Sequence, residues 1–199
     1  MPPDVFFCSC AKNGLRAKVA ATCFDILAHN LGHKPKLLRT WAAALRVNSK
    51  GAVSLCSDEE FQVVRRQNAS ILAQTDPYLI SDDDCIPIGK NWLENGAEIL
   101  MDYPEFAALA LLPINCNIMP WTPEDYTPFL DEEVMETVSC GGMVLMRRDV
   151  MKDWPEGGKT YDKEIAEYLR SIGRRVGYLR NIKMFHLCEG KELSTVWNS

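Results

Sequence analysis

Pro77-Tyr78-Leu79-Ile80-Ser81-Asp82-Asp83-Asp84-Cys85-Ile86-Pro87 decides how this chain is read. A short apolar run meets three consecutive carboxylates, and a proline follows three residues after the last of them. The run predicts a buried strand over Tyr78–Ser81. That strand delivers the carboxylates to its C-terminal end, the edge where open α/β sheets hold their ligands. Three adjacent carboxylates repel one another, so a compact arrangement calls for a cation. In an extended segment, Asp82 and Asp84 point to one side and Asp83 points away. Two oxygen ligands on one face suit Mg²⁺ or Mn²⁺, which keep positions open for substrate phosphates. An acidic loop or a helix cap accounts for the same triplet. The apolar run before it and the proline after it favour the metal.

The flanks alternate strand and helix. Val5–Cys10 is a continuous apolar run that ends near the turn residues Asn13-Gly14 and predicts a first buried strand. Leu15–Leu31 has helical spacing and stops at Gly32. Leu37–Val47 fits either a helix or a strand, and Ala52–Cys56 fits a short strand. Ser57 with Glu60 forms a capping-box pattern for a helix running to about Gln74. Trp92–Met101 predicts a helix and Phe106–Ile114 a central strand. Residues 115–137 contain Pro120, Pro123 and Pro128 and predict an irregular binding loop or lid. Met143–Met146 predicts a strand, Asp162–Ile172 a helix closed by Gly173, and Val176–His186 the last strands. The order implies an α/β fold with a mostly parallel sheet.

The 199 residues, 47% hydrophobic and 25% charged, are enough for a full core and argue against wholesale disorder. No apolar run reaches membrane-spanning length, and the start lacks a secretory pattern, so the expectation is a cytoplasmic protein. Eight cysteines are spread over the chain without a CxxC pair, which points to reduced, mostly buried thiols. The net charge of −5 is unevenly spread: residues 1–50 carry eight basic side chains against Asp4 and Asp25, which leaves −11 on the rest. A basic part beside an acidic one suits a site that meets phosphates and a metal, and it equally suits a solvated basic helix face. The acidic balance argues against indiscriminate nucleic-acid binding.

Other residues carry candidate chemistry. Arg66, two before Asn68, could contact a base or phosphate. Gly141-Gly142 permits close backbone approach to a sugar or phosphate, or simply a tight turn. Asp162 at a helix start is a cap or a general base. His186, at the end of a strand, could complete a metal site.

In this order and spacing the motifs resemble nucleotide-sugar glycosyltransferases of the GT-A fold, nearest to the family 2 type. The resemblance rests on Arg66 with Asn68, then Asp82-Asp83-Asp84 with Pro87. It continues through Gly141-Gly142, Arg147-Arg148-Asp149 and Tyr161-Asp162, and covers residues 5–190. It implies one Rossmann-like domain over residues 1–199, with a nucleotide-binding half at 1–90 and an acceptor and catalytic half at 91–199. It further implies that Asp82, Asp84 and His186 hold Mn²⁺ or Mg²⁺ on the donor diphosphate. Asp162 would be the base on the acceptor hydroxyl, with Glu164 as the alternative. Cys8, Ser9 and Asn13 would lie against the nucleoside, and Arg66, Asp83, Gly141 and Gly142 would line the rest of the donor site.

The implied donor is a nucleotide-diphosphate sugar, UDP-linked by preference, used in a single inverting transfer. The implied acceptor is a glycan, a lipid, a protein or a hydroxymethylated DNA base. Tyr161 stands where the family has Glu. No clear acidic residue reads the uridine after the second strand, Asp58 being the nearest. The Gln-x-x-Arg-Trp motif of processive synthases is absent. A nucleotidyltransferase would need a glycine-rich basic loop, and Cys10-Ala11-Lys12-Asn13-Gly14 has one glycine. A non-catalytic nucleotide-sugar-binding module would be expected to lose Asp162 or a metal carboxylate, and neither is lost.

Overall fold

The computed structural model describes residues 2–9, 14–39, 44–47, 53–56, 68–115, 129–139, 141–150 and 162–187. Strand β1 (Val5–Ser9) leads into helix α1 (Gly14–Leu31), which ends where Gly32 takes φ 71°. The stretch that fitted either helix or strand holds two strands, β2 (Lys36–Arg39) and β3 (Ala44–Val47). Among the described residues β3 pairs with β4 (Val53–Cys56) alone, as an antiparallel ribbon. Of the helix expected to reach Gln74, residues 68–72 are helical, and 57–67 lie outside the described residues.

The acidic segment then forms β5 (Tyr78–Asp82), a turn at Asp83-Asp84, and β6 (Cys85–Ile88). Helix α2 (Trp92–Asp102), β7 (Phe106–Pro113), β8 (Val134–Glu136), β9 (Met143–Met146), α3 (Asp162–Ser171) and β10 (Arg175–His186) complete the order.

Seven strands run β2-β1-β5-β9-β7-β10-β6 across one sheet, and β8 pairs with β10 as its eighth. β1, β2, β5, β7 and β10 point one way, and β6, β8 and β9 the other. Period-2 alternation sorts the strand side chains into two apolar layers. Tyr78 and Ile80 join Phe6, Val144 and Ala110 under residues 68–72 and α3, which contributes Ile165, Ala166 and Leu169. Leu79 joins Phe7, Leu109 and Leu145 under α1 and α2, which contribute Cys23, Leu27, Leu93 and Leu100. Burying each such leucine contributes about 1.5–3 kcal/mol. Helices therefore cover both faces, and the strand ends are left to form sites.

Two strands lie where none was expected. β6 contains Pro87, read in sequence as the proline that follows the acidic triplet. As the last strand of the sheet, β6 can carry a residue without an N–H to donate. β8 lies inside the segment expected to be irregular, only three residues long and secured by pairing to Gly177–Leu179 of β10. The rest of that expected lid, 116–128, falls outside the described residues. No helix among the described residues is long and apolar enough to cross a membrane.

Candidate functional site

Two strand registers bring three chain segments to one point. Parallel pairing of β1 with β5 sets Cys8 beside Asp82, which leaves Ser9 level with the turn that follows. Antiparallel pairing of β10 with β6 sets His186 opposite Cys85, and the Leu187 amide donates to the Asp84 carbonyl at 2.9 Å, extending that ladder. The C-terminal tips of β1, β5 and β10 thus meet around Asp83-Asp84.

The strand ends at Asp82, so side-chain alternation does not continue through the triplet. Asp82 keeps the parity of Tyr78 and Ile80, but the turn redirects the next two carboxylates. Asp83 is buried, and its Oδ2 accepts the Ser9 hydroxyl at 2.8 Å. Asp84 is buried as well, with Oδ1 at 3.3 Å from His186 Nε2. The Cys85 thiol donates to the same Oδ1 at 3.6 Å. The ligand atoms of Asp84, Cys85 and His186 all lie within 4.8 Å of one another, and this is the sole such group among the described residues. Of the expected trio of Asp82, Asp84 and His186, the structure brings Asp84 and His186 together, with Cys85 beside them and Asp82 one residue before the turn as the last of β5.

Electrostatics follow from the burial. Cys85 has its thiol pushed well above the usual range, first by burial and then by the charges of Asp84 and Asp82. Cys23 on α1 is pushed up to about 12, by burial first and then by Asp84 and Asp83. Both remain protonated at neutral pH, so Cys85 acts as a donor that steadies the Asp84 carboxylate. Asn115 fixes the other partner: its Nδ2 donates to the His186 carbonyl at 2.6 Å, and its Oδ1 accepts the His186 amide at 3.0 Å. Sequence reading missed Cys85 and Asn115, since neither a lone Cys nor a lone Asn has a spacing that marks it.

Gly142 supports the turn from below. It adopts φ +80°, its carbonyl accepts the Asp82 amide at 2.9 Å, and a Cβ there would lie 2.5 Å from Met184 Cε and 3.2 Å from Cys85 Sγ. The positive φ, which L side chains rarely adopt, is what calls for glycine here. Gly141 beside it is half-buried.

Cys8 lies in the core, so it supports the strand tip and presents no surface. Asp162 is the first residue of α3, and its side chain falls outside the described residues, as do Asn13, Arg66 and Asp58 entirely. α3 leads through Gly173 into the start of β10.

A hollow of about 180 Å³ adjoins Ser9, lined by Phe7, Ala17, Ala20, Phe24 and Leu37 among others. A larger cavity of about 820 Å³ lies at the far edge, among Pro2, Pro3, Asp76, Glu94, Glu98 and Asp102. Its carboxylates repel phosphates, so size is a poor guide here.

No family model and no curated protein sequence matches the chain. Solved structures match it in shape. S. aureus TarS 1–349 aligns at a TM-score of 0.54 with 13% identity, over 92% of this chain and 59% of that one. The inositol-1-phosphate CTP transferase from T. maritima aligns at 0.50 with 9% identity, over 99% of this chain and 94% of that one. Likeness at this identity is one of fold: a mixed α/β domain with a mostly parallel central sheet flanked by helices.

Proposed function

We propose that this chain is a metal-dependent transferase that moves one sugar from a nucleotide-diphosphate sugar to an acceptor hydroxyl. The observation that carries this reading is the 3.3 Å approach of the Asp84 carboxylate to the His186 imidazole at the C-terminal edge of the sheet. The carboxylate oxygens of a turn of three acids fit Mn²⁺ or Mg²⁺, and the imidazole at the end of β10 adds one nitrogen ligand. Asp84 and His186 would hold the ion, with Asp82 adjacent on the strand. Bound there, it would supply positive charge to the departing diphosphate.

The remaining work falls to the chain's own residues. Ser9 and Asp83 hold the β1 tip against the turn, beside a hollow with room for a nucleobase. A UDP-linked donor is the preferred substrate. Asp162, at the start of α3, takes the proton of the acceptor hydroxyl as its oxygen attacks the anomeric carbon. Attack opposite the leaving diphosphate inverts that carbon, and each encounter transfers one sugar. Residues 1–90 form the nucleotide-binding half and 91–199 the acceptor and catalytic half.

A second reading, a nucleotidyltransferase, is favoured by the likeness to a CTP transferase over nearly the whole of both chains. The two differ in product. Sugar transfer releases a nucleoside diphosphate from a sugar nucleotide, whereas nucleotidyl transfer releases pyrophosphate from a nucleoside triphosphate. The test is a screen of UDP-, GDP-, CDP- and TDP-sugars and of the four triphosphates with Mn²⁺, with and without EDTA. Diphosphate release from one sugar nucleotide, abolished by EDTA, is expected. Cleavage of none of the sugar nucleotides overturns the proposal, and pyrophosphate release alone selects the second reading.

A further inference from the structure

The donor set at the acidic turn is not purely hard. Asp84 Oδ1, Cys85 Sγ and His186 Nε2 supply one oxygen, one sulfur and one nitrogen from three residues on two paired strands. Oxygen, nitrogen and sulfur together suit a borderline cation such as Zn²⁺, and sulfur contributes little to Mg²⁺. The spacing points the same way. With Zn–O and Zn–N bonds of about 2.05 Å and Zn–S of about 2.3 Å, tetrahedral edges come to about 3.35 Å for O···N and about 3.55 Å for O···S. In the structure, two of the three edges are 3.3 Å for Asp84 Oδ1 to His186 Nε2 and 3.6 Å for Asp84 Oδ1 to Cys85 Sγ, and the third lies within 4.8 Å.

The supports fit as well. Asn115 clamps the His186 backbone from both sides, and the β10–β6 ladder fixes Cys85 opposite His186. The His186 side chain is 16% exposed, which leaves an approach from solvent on one side.

We propose that Asp84, Cys85 and His186 form a three-ligand Zn²⁺ site whose occupation excludes the Mn²⁺ or Mg²⁺ that would use Asp84 and His186. Zinc is then an inhibitor that competes with the activating ion. Zinc binding stands by itself, and only the inhibition rests on the function proposed above. On binding, the Cys85 S–H proton leaves to solvent as the sulfur coordinates.

Co²⁺ reports such a site by a thiolate-to-metal absorption band in the near ultraviolet. The reduced full chain is titrated with Co²⁺ alone and then with Zn²⁺. One equivalent of Co²⁺ producing the band, and its displacement by Zn²⁺, is expected. Cys85→Ala should lose the band while keeping the wild-type circular dichroism, and should bind Zn²⁺ at least about 100-fold more weakly. His186→Ala, altered at the more exposed ligand, gives the same test if Cys85→Ala does not fold.

Absence of the band reduces the trio to a hydrogen-bonded cluster and overturns the site. A band that survives in Cys85→Ala moves the thiolate to another of the eight cysteines and also overturns it. If Zn²⁺ binds as described but Mn²⁺ supports cleavage of no sugar nucleotide, the zinc site stands and the proposed function falls. If Mn²⁺ supports cleavage and Zn²⁺ does not inhibit it, the competition falls.

Discussion

The two ends of the sheet use charge in opposite ways. At the N-terminal end of the parallel strands, charged groups are spent on the protein itself. Arg147 donates to the Phe106 carbonyl at 2.9 Å, the Leu100 carbonyl at 2.6 Å and the Tyr103 carbonyl at 3.4 Å, closing the last turn of α2 onto the start of β7. A cation there also suits the negative end of the helix. Arg174 donates to the Pro104 carbonyl, and Arg175 meets the buried Glu136 carboxylate at 2.6 Å. Asp4 pairs with Lys36 at 2.7 Å. At the C-terminal end, three carboxylates, a thiol and an imidazole converge on one turn. At the first end these arginines and the Asp4–Lys36 pair are matched to carbonyls or an opposite charge, which is how a fold is fastened. The second gathers like charges with metal-ligating groups, which is how a ligand is met.

That contrast breaks most sharply at Asp84. Asp84→Ala should lower nucleotide release by at least about 100-fold. It should shift the melting temperature less than the change described next, because it removes a buried charge along with its contacts. A variant with near-normal release would remove the turn from the chemistry. Arg147→Ala should give the reverse signature. It leaves carbonyls of α2 and β7 without their charged donor, a cost of about 3 kcal/mol, or about 6–12 °C in a chain of this size. Release per folded molecule should be unchanged. Thermal melts beside the same assay check both, and lost activity in folded Arg147→Ala would merge the two ends into one functional unit.

The elements best read from sequence are those decided by local pattern. β1, β5 and β7 are unbroken apolar runs, and α1 ends at a glycine that takes φ 71°. β6 and β8 were missed because they are short and owe their existence to pairing with β10, a contact about 100 residues away for β6. At the site, Asp84 and His186 were legible as chemical types at strand ends. Alternation along an extended chain gave no sign of Cys85, because the chain turns at Asp83-Asp84 and brings that thiol beside Asp84 and His186. Arg147 read as part of a site motif, and its three carbonyl partners place it in the framework at the other end.

Gly142 tests whether the site end is built as tightly as the fastened one. Gly142→Ala puts a Cβ into φ +80° and against Met184 and Cys85. The expected loss is about 2 kcal/mol, read as a fall of about 4–8 °C. An unchanged melt would mean that the turn has slack to give.

Asp4 supplies the smallest effect and one whose sign is fixed in advance. Burial pushes its carboxyl up, but the Lys36 ion pair and the Gln74 and Thr75 amides outweigh this and leave it below the usual carboxylate value. Its folded pKa is therefore lower than its unfolded one of about 3.9. Stability from this group is fully present above the unfolded value and drains away as pH falls through the folded one. Asp4→Asn should cost about 1–2 kcal/mol in urea unfolding at pH 6, and the gap from wild type should narrow steadily below about pH 4. The same gap at pH 3 as at pH 6 would assign the loss to packing at the start of β1 and β2, and would take Asp4 out of the set of charges that fasten this end.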